Sequence, residues 1–145
     1  MPQPVFYRAL AEVQERHVYA LARGEMQTSS TEPTAAQMEI GAFAKAAIEN
    51  ARTATVREAS NYLNWIVHGN AYAQLAALRV QGALEGGVNA YERAARLAPH
   101  DPLPLGLEAQ IYAAAGDPSR AHDALMRAEA IDPGFRNVNV AVFGR

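Results

Sequence analysis

Four histidines and no cysteine are the starting inventory for chemistry in this chain. His68 is the most suggestive, because it lies inside the apolar stretch Tyr62-Leu-Asn-Trp-Ile-Val-His-Gly69. An imidazole held among apolar side chains can act as a ligand, a base or a hydrogen-bond partner. Gly86, Gly87 and Gly106 fall near or within helix-forming stretches, where each glycine costs about 1 kcal/mol relative to Ala. Side chains missing at Gly87 and Gly106, with His68 and Tyr72 nearby, would leave a small-molecule pocket with a polar tip. The plainer reading makes His68 a satisfied core residue that donates to a carbonyl or to Tyr72, one turn on. On that reading Gly86-Gly87 is the loop after a lengthened helix.

The remaining candidates are weaker. His17, His100 and His122 have no His, Asp or Glu partner at metal-ligand spacing on a shared helix face. His122 and Asp123 are adjacent, so their side chains point apart. No nucleophile elbow, phosphate loop, zinc-protease or dinucleotide fingerprint occurs. Glu85-Gly86-Gly87 lacks the Lys-Ser/Thr that a phosphate loop needs. Tyr62 and Trp65 could stack a base, but at helical spacing they read as core. No catalytic residue, metal site or cofactor is therefore expected, and the chain reads as a binder rather than an enzyme.

The elements that would position these residues are helical. Half of the 145 residues are hydrophobic. Many of those are Ala, the best helix former, and no stretch alternates with period two. The length suits one domain, 1–145. A net charge of −2 supplies no long-range attraction for nucleic acid or anionic lipid. No apolar run approaches the roughly 20 residues that span a bilayer. Met1-Pro2-Gln3-Pro4 lacks the basic and apolar segments of a signal peptide. The chain as given is expected to be soluble, in a compartment that the residues do not specify. The absence of Cys excludes disulfides, thiolate zinc sites and cysteine nucleophiles.

A repeat organises the second half. Tyr91-Glu-Arg-Ala94-Ala-Arg-Leu-Ala-Pro99 is echoed by Leu125-Met-Arg-Ala128-Glu-Ala-Ile-Asp-Pro133, and Tyr91/Leu125, Ala94/Ala128 and Pro99/Pro133 are each 34 residues apart. Asp101-Pro102 supplies a cap and a first-turn proline for a helix to about Ala115. Gly116-Asp117-Pro118 ends that helix and starts another, which runs to about Ala130 and stops at Asp132-Pro133. Each period is thus two antiparallel helices joined by a tight turn.

This pattern resembles the tetratricopeptide repeat (TPR) family. Trp65, Gly69 and Tyr72 match its first helix, and Tyr91, Ala94 and Pro99 its second. Leu105, Ala109 and Tyr112, then Ala121, Leu125, Ala128 and Pro133, match the next repeat. A first repeat follows from Tyr7, Leu10, Ala11 and Gln14, with Ala47, Ala51 and Ala54 on its second helix and Ala59 at the closing position. The resemblance implies an all-α, right-handed helical-hairpin solenoid of about three repeats: 5–60 with a long loop at 24–33, 62–101, and 102–134. A capping helix follows over 135–145. The long first-repeat loop and the extra residues Leu75–Gly82 are also similar to the C-terminal TPR region of bacterial O-antigen polymerase- and ligase-like membrane proteins. That narrower likeness implies a soluble domain of a larger membrane protein.

The family's concave face usually holds a peptide from another protein. On this chain the matching groove positions are Arg8, Glu12, Glu15 and Arg16, then Leu63, Ile66, Asn70 and Gln74, then Leu103, Gln110, Ala113 and Ala114. The resemblance thus implies a groove charged at one end and mostly apolar at the other. Asn70 and Gln110 can hydrogen-bond a peptide backbone. Ile66 stands where some members carry the Lys that grips a terminal carboxylate, so that mode is not expected. The departures from the family are His68, where Leu is usual, Gly87, where Ala is usual, and Gly106. A protein or peptide partner is the first expectation, a pocket around His68 the second. A groove covered by the long loop or by a second copy of the chain is the third.

Overall fold

The computed structural model describes Arg8 and residues 35–135. Over 35–135 these residues form five α-helices, with no strand among the described residues. We number them α1 (Ala35–Arg57), α2 (Tyr62–Ala77), α3 (Ala83–Leu97), α4 (Leu103–Ala114) and α5 (Pro118–Ile131). Each helix packs on the next in sequence, most extensively α2 on α3, and α2 also reaches α4. Apart from Arg8 and Phe135, the expected first helix, the 24–33 loop and the 135–145 cap lie outside the described residues. No helix among the described residues is long and apolar enough to cross a membrane.

Small residues make these contacts close. The buried stripe of α1 is Ile40, Ala44, Ala47, Ala51 and Ala54, spaced three and four apart, so it forms one face. Ala51 packs on Val67, and Leu75 packs against Ile40 and Ala44. The main apolar cluster joins Val88 and Tyr91 of α3 to Ile111 and Tyr112 of α4, with Leu84, Leu107 and Ala121 against it.

The turns follow from local chemistry. Gly116 adopts φ +80, and the Asp117 carboxylate accepts from the Arg120 N–H at 3.0 Å. Asp101 accepts from Leu103 N–H at 2.9 Å, with Pro102 at the helix start. The α1–α2 turn is tied by Asn61, which accepts from Leu63 N–H, and by the Trp65 indole, which donates to the Ala59 carbonyl at 2.8 Å.

One expectation is corrected. Gly86 and Gly87 are not a loop but belong to the first turn and a half of α3. The loop is Leu78–Gly82, where Arg79 (φ 58) and Gly82 (φ 79) are left-handed. Extra contact offsets the helix cost of the two glycines. A Cβ at 86 would meet the Tyr72 ring at 2.6–2.8 Å, and one at 87 would collide with Ile111.

Candidate functional site

A cleft of about 310 Å³ opens between α2 and α4, with α3 behind it. From α2 come Asn70, Ala73 and Gln74, and from α4 come Leu107, Gln110, Ile111 and Ala114. Tyr91 of α3 completes the lining. The spacing 70, 73, 74 and 107, 110, 111, 114 puts each set on one helix face. The lining holds no charged residue. Its polar groups are three carboxamides and a phenol, which can donate to and accept from another neutral polar group.

Tyr91 is what the sequence reading missed here. Its ring, 2% exposed, lies over Gly69, and its hydroxyl donates to Asn70 Oδ1 at 2.8 Å. The repeat pattern marks Tyr91 as a core residue, which it is. Nothing in the spacing says that its hydroxyl emerges beside Asn70. Ala73, Leu107 and Ile111, which also line the cleft, were not among the expected groove positions either.

The expected groove residues divide. Asn70, Gln74, Gln110 and Ala114 line the cleft together. Leu63 (41% exposed) and Leu103 (42%) stand exposed at the starts of α2 and α4, and Ala113 is exposed too. Ile66 is buried and faces the core. Arg8 is half-buried, and its guanidinium donates to Asn64 Oδ1 at 3.4 Å. Glu12, Glu15 and Arg16 lie outside the described residues.

The His68 group is partly assembled. His68 is buried, with its ring 5.2 Å from that of Tyr72 and 6.1 Å from that of Trp65. Gly87 is close by, its Cβ position 3.4 Å from Tyr72 Cβ. Gly106 is elsewhere: the Phe135 ring occupies the space beside it. The side chains missing at Gly87 and Gly106 are thus replaced by Ile111 and Phe135 rather than by open volume. The expected hydrogen bond to a carbonyl or to Tyr72 is not made, since neither ring nitrogen has a partner among the described residues. Burial, reinforced by the positive charge of Arg52, holds the imidazole pKa down to about 4. At neutral pH the ring is therefore uncharged.

A second buried titratable group was not anticipated. Glu108 is 4% exposed and pairs with the Arg127 guanidinium at 3.3 Å across α4 and α5. Burial pushes its carboxyl above the usual range, Arg127 pulls it back, and Glu92 adds to the rise. Its place on the 34-residue pattern carried no signal, because the pattern specifies small and aromatic positions rather than charge. Among the described residues no group of three or more His, Asp or Glu could hold a metal ion. Comparison with known proteins assigns no family: no family model matches the chain, and no curated protein matches its sequence.

Proposed function

We propose that this chain is a non-enzymatic binding module, a short tetratricopeptide-like array whose α2–α4 cleft takes a peptide segment of another protein. The observation that carries the reading is the cleft itself. Asn70, Gln74 and Gln110, groove positions by the family resemblance, line one uncharged hollow backed by Tyr91. The 34-residue offsets and the contact of α2 with α4 support the repeat arrangement. Neutral amides beside apolar walls suit a peptide backbone flanked by small apolar side chains.

The test is to pan a displayed library of random peptides against the chain. An enriched peptide is then titrated into wild type and into the Asn70→Ala plus Gln110→Ala double variant. Affinity is expected to fall about tenfold or more, the loss of one or two hydrogen bonds. Equal binding by the double variant removes the cleft from consideration.

A second reading, a small-molecule site at His68, has the two unpartnered ring nitrogens in its favour. The filled spaces beside Gly87 and Gly106 stand against it. A compound that raises the melting temperature of wild type but not of His68→Leu would favour it.

A further inference from the structure

The cleft continues beyond the residues that line it. Leu63 and Leu103 are exposed at the starts of α2 and α4. The helical period sets Leu63 in line with Asn70 and Gln74, and Leu103 in line with Gln110 and Ala114. The Tyr62 phenol lies against the Asp101 carboxylate, which brings the first turns of the two helices side by side. The two leucines therefore stand together at one end of the cleft and extend it. Along this track α2 offers carboxamides, Asn70 and Gln74, while α4 offers an apolar ladder, Leu103, Leu107 and Ile111.

Both sets repeat every four residues, about 6.0 Å along a helix. An extended chain repeats every two residues, about 6.6 Å, both in the side chains of one face and in the backbone groups along one edge. A helical peptide has no such match, because its backbone groups are already paired. We infer that the cleft and the two leucines form one track for an extended peptide whose alternate residues are apolar, the bulkiest seated between Leu63 and Leu103. The inference rests on the peptide-binding reading and deepens it, by naming the conformation and the side-chain pattern of the occupant. Carboxamides pair with a backbone N–H or C=O alike, so the peptide's edge lies along Asn70 and Gln74 and its apolar face on the α4 ladder. Charge complementarity points the same way. No described residue of the lining is charged, so an acidic or basic side chain facing the ladder would lose its water and gain no counter-charge.

Panning gives the first readout: the enriched peptides are expected to share apolar residues at alternate positions, with no charge among them. One such peptide is then titrated into wild type and into Leu63→Ala plus Leu103→Ala. Both leucines are exposed, so the core is left alone. Truncating them, or replacing the bulkiest apolar residue of the peptide by Ala, is expected to weaken binding about five- to tenfold. Doing both is expected to cost little more than either alone, because the two changes remove one contact. Moving the bulky residue one position along the peptide turns it to the opposite face, and is expected to cost as much as removing it.

Full binding by the leucine double variant overturns the inference. So do losses that simply add, tolerance of the one-position shift, or enriched peptides without the alternation. These results leave peptide binding standing as long as Asn70→Ala plus Gln110→Ala still weakens the enriched peptide. Equal binding by that variant, or a library with no enriched peptide, removes the peptide reading and this inference with it.

Discussion

A Cβ at Gly69 would stand 2.6 Å from Cδ1 and 2.9 Å from Cζ of Tyr91. The phenol ring uses the space that any other residue at 69 would fill, and this lets α2 and α3 approach closely enough for the Tyr91 hydroxyl to reach Asn70.

Gly69→Ala sets two effects against each other. Helix propensity favours Ala by about 1 kcal/mol. Overpacking against a ring only 2% exposed costs about 1–3 kcal/mol and outweighs it. The urea midpoint is expected to fall. Gly41 lies inside α1 with none of the described residues within 4 Å of its Cβ position, so Gly41→Ala is expected to gain about 0.5–1 kcal/mol. Midpoint shifts of the same sign in both variants would sink this account.

Acid is expected to weaken the fold through His68. The ring titrates near 6.5 in an unfolded chain and near 4 in the folded one. Between these values the unfolded chain binds the extra proton, so the stability present above about pH 6.5 is lost as pH falls towards 4. At about pH 5 the loss is on the order of 2 kcal/mol. His68→Leu removes this slope. It also removes two unpartnered nitrogens, raising neutral-pH stability by about 1–3 kcal/mol. Urea unfolding of both proteins across the acid range reads the slope directly, and parallel curves would contradict it.

Glu108 gives the opposite sign. Its carboxyl is raised on folding, so the folded chain holds the proton more readily. Its contribution therefore improves as pH falls through the raised range and worsens as pH climbs. Glu108→Gln keeps the shape and drops the buried charge. It is expected to melt higher than wild type at neutral pH and alike in acid. A lower melting point at neutral pH would mean that the Arg127 pair outweighs burial.

Asn64 ties α1 to α2. It is 1% exposed, and its Nδ2 donates to the carbonyls of Ala54 and Glu58, at 3.3 Å each. Asn64→Ala is expected to cost about 1–3 kcal/mol in chemical denaturation. Amide exchange should quicken first across the turn at residues 58–61. Unchanged exchange there would show that the side chain is dispensable.

Helix boundaries were legible wherever a cap and a breaker coincide. Gly116-Asp117-Pro118 fixes its turn to the residue, since the left-handed glycine, the capping carboxylate and the proline each allow one placement. Gly86-Gly87 misled because glycine alone signals a break, while the reason for these two is the Tyr72 ring and Ile111, each arriving from another helix. The family resemblance marked Asn70, Gln74 and Gln110 as groove positions, and the helical period puts Asn70 with Gln74 on one face of α2. Neither could find the Tyr91–Asn70 bond or the burial of Glu108 and Asn64, which depend on distances between helices that no single-helix period encodes.

The chain-neighbour packing of the five helices has a consequence for synthesis. Among the five described helices nearly all contact is between consecutive elements, so closing that part of the chain costs little loop-closure entropy. Among these helices, α2, α3 and α4 can close on one another as they follow in sequence. A nascent chain that has emerged from the ribosome only as far as Ala114 already carries every side chain that lines the cleft.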